Sequence, residues 1–515
     1  MMPVDQALAV LRDRDAVRRL HDRDPSLWSD DAEDQRVVAN RLGWLDTAPA
    51  SDEVLRRLAE VQATVPEHDH LVLAGMGGSS LAPEVFSRVL HGNAVRFSLL
   101  DSTHPDAVTG VLDTADPTRT IAIVASKSGS TEETACFGSR ASSLLPPERL
   151  VAITDEGSQL HHAAQTARWG AVVLNPADIG GRYSALSMFG AVPAALVGVP
   201  VERVWQHAGT MLDSCRADVD GNPAAQLAAF IAGHAVAGRD KMTLLAPTEL
   251  APLGDWVEQL VAESTGKLGK GIVPVVGEPA DEPEVYGDDR AFVVLRLGAD
   301  TPLGVDALRA AGHPVFVIDV DDRDHLGAEF VRWEVATALA AVVLGVNPFD
   351  EPNVAESKAN TVAVLSQVRE GTALPEPEHG DVGGLLFQLR PGDYVSIQAY
   401  LAPTPEHADA LLRMRTFIRN LSRSATTVGW GPRFLHSTGQ LHKGGPDNVV
   451  ALQIVDTPIG GPAIPDRPYD FATLIRAQAL GDLRSLRDKG RRVTQVGLHE
   501  GGLEQLVSEV EAALR

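Results

Sequence analysis

The fifteen residues from Thr120 to Thr134, TIAIVASKSGSTEET, constrain this chain more than any other stretch. Thr120–Ala125 is short, apolar and partly β-branched, as a parallel strand buried on both faces should be. Ser126-Lys127-Ser128-Gly129-Ser130-Thr131 then gives four hydroxyls and one lysine, and Glu132-Glu133-Thr134 opens a helix. Unsatisfied N–H groups and the positive end of a helix dipole meet at such a junction, which suits a phosphate or another tetrahedral anion. The plainer reading of the same residues is an N-cap and a turn. A partner lies upstream: the strand Leu71–Ala74 runs into Gly75-Met76-Gly77-Gly78-Ser79-Ser80, which opens another helix. Two such loops in one sheet can hold one anionic ligand from two sides.

Strands alternate with helices beyond this core. After a charged helical segment over residues 1–66, which we expect to cap the first domain, strands are predicted at Leu71–Ala74, Val95–Leu100, Thr120–Ala125, Leu150–Thr154 and Ala171–Leu174. Such alternation predicts a mostly parallel sheet covered on both faces, here over residues 67–220. A second block of the same kind spans 221–370, with strands at Met242–Ala246, Phe292–Leu297 and Val315–Asp319. The stretch Arg369–Gly380, rich in Pro and Glu, reads as a linker. Residues 371–515 add strands at Tyr394–Tyr400, Val449–Ile454 and Arg492–Leu498, and are expected to complete the second domain, a third lobe being the alternative. The fold class is therefore α/β.

A formal net charge of −24 argues against nucleic acid or an anionic membrane as partner. It also requires local cations wherever an anion binds. Two cysteines, Cys136 and Cys215, cannot build a disulfide framework and suit a reducing cytoplasm. No signal peptide is read at the N-terminus, and the most apolar runs are too short to span a bilayer. No Cys/His pattern suggests zinc, Asp319–Asp324 lacks the glycine of a calcium loop, and adjacent His161 and His162 are expected to point apart on a helix.

Four further stretches carry candidate chemistry. Gly180-Gly181-Arg182-Tyr183-Ser184 brings an arginine to a spot where two glycines admit close backbone approach. An arginine there can stabilise developing negative charge; a surface turn is the plain alternative. Gln259 and Glu263 share one helix face, and a carboxylate at a helix end can act as a general base or simply be solvated. In Asn347-Pro348-Phe349-Asp350-Glu351-Pro352, the prolines break one helix and start another, which puts Lys358 about two turns in. His436-Ser437-Thr438-Gly439-Gln440-Leu441-His442-Lys443-Gly444-Gly445 offers two histidines that can titrate near neutrality.

Together GMGGSS, SKSGSTEET, GGRYS, EQLVAESTGK, NPFDEPNVAESK and HSTGQLHKGG resemble the glucose-6-phosphate isomerase family, with its two sugar-isomerase (SIS) domains. The likeness is strongest to the isomerase portion of fused transaldolase/phosphoglucose isomerases. It implies two three-layer SIS domains and interconversion of glucose 6-phosphate and fructose 6-phosphate through ring opening and an enediol, with no cofactor and no metal. It implies Ser79, Ser126, Lys127, Ser128 and Thr131 as phosphate contacts, and Gln259 and Glu351 as further substrate contacts. Glu263 would be the base, Arg182 the cation beside the enediolate, and Lys358 and His436 the ring-opening pair. Two departures stand out. His436 follows Lys358 in the chain, whereas most relatives carry the histidine between base and lysine; His442 is the alternative histidine. Glu351 stands where most relatives carry glutamine. The resemblance further implies a cytoplasmic enzyme of glycolysis and gluconeogenesis, with a homodimer among the expected assemblies. Other readings are an isomerase of mannose 6-phosphate or another C6-anionic sugar, and a non-catalytic SIS phosphosugar sensor.

Overall fold

In the computed structural model, residues 3–48, 51–90, 92, 94–298, 304–498 and 502–514 are described. The five strands of the first block are β1 (His70–Gly75), β2 (Arg96–Leu100), β3 (Thr120–Ala125), β4 (Leu150–Asp155) and β5 (Ala171–Asn175), in spatial order β2-β1-β3-β4-β5. Every pairing is parallel. Side chains alternate across β1. Leu71 and Leu73 join one apolar core, while Val72 and Ala74 join another with Phe137 and Phe471. Burial on both faces explains why these strands read as unbroken apolar runs.

The chain lays β2 on one side of β1 and β3 on the other. Connections therefore diverge between β1 and β3, and the crevice beyond their carboxyl ends is where an α/β sheet binds ligands. Gly75 pairs with Ala125, so the Met76–Ser80 and Ser126–Ser130 loops leave the sheet at one level.

A second sheet contains β6 (Lys241–Leu245), β7 (Val273–Val275), β8 (Arg290–Leu297) and β9 (Val315–Val320), ordered β7-β6-β8-β9. The strands beyond residue 371 do not extend it. They form a third parallel sheet, β11-β10-β12-β13, from β10 (Tyr394–Tyr400), β11 (Ala425–Trp430), β12 (Val449–Val455) and β13 (Arg492–Gly497). They pair among themselves and not with the second sheet, while Val273 and Val275 of β7 share an apolar core with Tyr394, Ala425 and Val449. The physical reason lies in β10, buried along its whole length, whose Val395, Ile397 and Ala399 pack in a core of their own with Ile418 and Leu506. β7 and β11 were not expected. β7 has only three residues, one of them proline, and β11 mixes threonine with glycine.

The N-terminal segment is helical, but it caps more than the first block. Helix Pro3–Asp13 lies so close to helix Pro223–Val236 that a Cβ on Gly233 would stand 2.6 Å from the Pro3 carbonyl oxygen. Trp28 Nε1 donates to the carbonyl of Ala338 at 2.9 Å. One core accordingly runs through the N-terminal helices and both of the first two blocks.

Candidate active site

Helix Glu132–Leu144 starts directly after the hydroxyl loop, and Thr131 occupies its N-cap position without a side-chain capping bond. The Thr131 hydroxyl is thus left facing the loop, 3.5 Å from Ser126 Oγ. Gly129, at φ +67°, turns its N–H onto Ser126 Oγ at 3.1 Å, and Ser130 donates to Ser128 Oγ from N at 3.3 Å and from Oγ at 2.9 Å. Across the crevice, Gly78 lets the β1 loop touch the Gly180–Arg182 turn: a Cβ on Gly78 would stand 1.9 Å from the Gly181 carbonyl oxygen. Gly77, at φ +55°, leaves room for Gln259 and the His436 backbone.

Helix Leu253–Thr265 brings the candidate base. Gln259 Nε2 donates to Glu263 Oε2 at 3.1 Å and to the His436 carbonyl at 2.7 Å. Arg182 is buried and held by five oxygens. It donates to Ser264 Oγ (2.9 Å), to the carbonyls of Pro348 (2.6 Å) and Asp350 (3.0 Å) and to Glu351 (3.1 Å), and it stands 3.3 Å from Glu263 Oε1. Burial raises the pKa of Glu263, and the nearby Glu351 charge adds to this against the pull of Arg182. The carboxyl is displaced upward from its ordinary value, the direction that suits a proton-shuttling base. For Glu351, burial works in the same direction, but the charge and hydrogen bond of Arg182 overcome it and hold the carboxyl below its ordinary value. An acid at this glutamine position is thus a paired acid.

One cleft of about 350 Å³ is lined by every candidate: Ser79, Ser126, Lys127, Ser128, Thr131, Arg182, Gln259, Glu263, Glu351, Lys358 and His436. Lys127 reaches it only in part, because its Nζ is bound to Asp155 at 2.5 Å and to the Ala177 carbonyl at 2.7 Å. Lys358, on helix Pro352–Arg369, is exposed at the rim.

The two histidines separate. His436 Nε2 stands 3.0 Å from Glu133 Oε1, which also accepts from Gln478 Nε2 at 2.8 Å. Burial would raise the Glu133 pKa, but His436 nearby, its hydrogen bond and the Lys358 charge together hold the carboxyl below its ordinary value. His442 is enclosed beneath the third sheet between Ser396 and Gln398, and burial pushes its pKa down to about 3. It is a neutral core residue and does not line the cleft.

Glu133 was quoted in its motif without a role; an acidic pair in the first turn beside the hydroxyl loop was the available signal. Arg41 and Asp155 sit in stretches with no local signature, and Ser264 lies in the EQLVAESTGK motif but was given no role. His161 and His162 do not point apart: their rings stack with centroids 5.7 Å apart, since helical side chains share a lean toward the N-terminus. Among the described residues, His207, Asp322 and His325 form the one group able to hold a metal ion, with ligand atoms within 4.8 Å of one another, and none of the three lines the cleft. No described helix is long and apolar enough to cross a membrane.

No protein-family model matches the chain. Curated relatives do. A glucose-6-phosphate isomerase of Cyanothece is 35% identical over 210 residues, which cover 38% of this chain and 40% of that protein. The glucose-6-phosphate isomerase of Rubrobacter xylanophilus is 30% identical over 381 residues, covering 62% of this chain and 86% of that protein. Among solved structures, a glucose-6-phosphate isomerase from Chlamydia trachomatis superposes with a TM-score of 0.55 over 71% of this chain and 86% of its own, at 18% identity, which speaks to fold alone. On the extent of the Rubrobacter match, the chain belongs to the glucose-6-phosphate isomerase family.

Proposed function

We propose that this chain is an aldose–ketose isomerase that interconverts glucose 6-phosphate and fructose 6-phosphate. The observation that carries the reading is the meeting, in one cleft, of Glu263 with a raised pKa, the Arg182 guanidinium beside it and a hydroxyl loop at a helix N-terminus. The anionic C6 group sits on Ser126, Ser128, Thr131 and the N–H groups of the following helix, and Ser79 closes it from the other loop. Binding that remote group fixes C1 and C2 against the base. His436, held by Glu133, gives a proton to the ring oxygen O5 beside Lys358, the C1–O5 bond pair goes to O5, and O1–H returns a proton to His436 as the C1 carbonyl forms. Glu263 then takes the proton from C2, the C–H electron pair forms the C1=C2 double bond, and the carbonyl oxygen at C1 becomes an enediolate oxygen. Arg182 is the cation beside that oxygen. The O2 hydroxyl proton passes to O1, Glu263 returns its proton to C1, and the electron pair left on O2 forms the C2 carbonyl, which yields the ketose.

The same reading includes a cytoplasmic location and a place in glycolysis and gluconeogenesis. Both described cysteines are buried free thiols, in keeping with a reducing compartment. A homodimer belongs to this reading as well, although His436 reaches the cleft from the same chain. Purified protein assayed in both directions with coupling enzymes tests the proposal: turnover of both sugar phosphates is expected, and no turnover in either direction refutes it.

A further inference from the structure

The cleft holds four cationic side chains, Arg41, Lys127, Arg182 and Lys358, and three carboxylates, Asp155, Glu263 and Glu351. Two of the cations are already committed. Lys127 Nζ is fixed to Asp155 at 2.5 Å, and Arg182 is shared between Glu263 at 3.3 Å and Glu351 at 3.1 Å. Arg41 and Lys358 have no carboxylate within ion-pair distance among the described residues. Lys358 stands toward Glu133 and His436, where its charge helps lower the Glu133 pKa. Arg41 is at the other side, where its charge acts on Asp155 and Glu351.

Arg41 is held there by the backbone. Leu42 forms an antiparallel bridge with Ile179, and Gly43 N donates to the Asp178 carbonyl at 3.0 Å. A Cβ on Gly43 would fall 2.4 Å from the Asp178 carboxyl group, so the two backbones pack closely here. Gly180 in turn leaves space for the arginine stem, whose Cδ lies 3.4 Å from where a Cβ on Gly180 would be. Among the described residues, the guanidinium makes one hydrogen bond, from Nη1 to its own neighbour, the Asn40 carbonyl, at 2.9 Å.

We propose that Arg41, carried over the cleft by the N-terminal segment, is the side-chain cation that meets the phosphate of the substrate. This rests on the isomerase reading for the identity of the substrate, but not for the binding of an anion. A chain of net charge −24, with Glu351 adding a carboxylate to the cleft itself, needs an uncommitted cation to hold a dianion. A guanidinium suits phosphate better than an ammonium, because it donates in a planar fork.

The test compares wild type with Arg41→Ala, Arg41→Lys and, as a control for lost charge, Arg36→Ala, which removes an exposed arginine outside the cleft. KM for fructose 6-phosphate and the affinity for inorganic phosphate by calorimetry are read for each, with melting curves to confirm folding. Arg41→Ala should raise KM and weaken phosphate binding by about tenfold or more, with Arg41→Lys in between and Arg36→Ala near wild type. Arg41→Ala indistinguishable from Arg36→Ala, or altered in kcat with phosphate affinity intact, overturns the proposal. If wild type turns over neither sugar phosphate, the isomerase reading falls alone, and the calorimetric comparison still decides the role of Arg41.

Discussion

Arg182 Nη1 donates a hydrogen bond to Glu351 Oε2 at 3.1 Å. The same nitrogen stands 3.3 Å from Glu263 Oε1, so the two carboxyl groups compete for one cation. The Glu351 charge is one cause of the raised pKa of Glu263, after burial. Glu351→Gln removes that charge and leaves Glu263 as the carboxylate beside Arg182, so Glu263 ionises at a lower pH. The acid limb of the profile of kcat/KM against pH should therefore move downward in pH. A limb that stays in place or moves upward contradicts this coupling.

His436 and His442 should fail in different ways. His436 borders the cleft and touches Glu133, whereas His442 is buried with its pKa pushed down to about 3. His436→Ala should reduce kcat by about 10²-fold or more with little change in Tm. His442→Gln should lower Tm instead, since it disturbs a packed core, and should leave most of the activity at temperatures where the variant is folded. Paired rate and melting measurements check this; a loss of rate confined to His442→Gln reverses the assignment.

The approach of Gly78 to Gly181 tests how the cleft is assembled. A Cβ on Gly78 would stand 1.9 Å from the Gly181 carbonyl oxygen, a clash with backbone that no rotamer relieves. Gly78→Ala should cost on the order of 1–3 kcal/mol in stability, read by denaturant unfolding, and should impair activity by moving the Arg182 turn. An unchanged midpoint would mean that the two loops have slack.

Much of this arrangement was legible in the sequence because the signal was local. Strands buried on both faces read as apolar runs, and β3 and β10 fall on their expected bounds. The hydroxyl loop was readable for the same reason, since strand, hydroxyls and helix start are contiguous. What was not legible depends on contacts far apart in the chain. The third sheet is set by which strands pair, and a linker followed by more alternation fits either an extended or a separate sheet. The pairing of Glu351 with Arg182 joins residues 169 positions apart, and His436 with Glu133 joins residues 303 apart. Arg41 had no motif around it; the Leu42–Ile179 bridge and the Gly43–Asp178 hydrogen bond bring it to the cleft.

The central claim is that Glu263 moves the proton between C2 and C1, and the rate of Glu263→Gln on glucose 6-phosphate addresses it most directly. Glutamine keeps the shape of the side chain but cannot accept the proton. The account predicts a folded variant whose kcat/KM is lower than wild type by about 10²- to 10⁴-fold. A folded Glu263→Gln enzyme that turns over at the wild-type rate would contradict it.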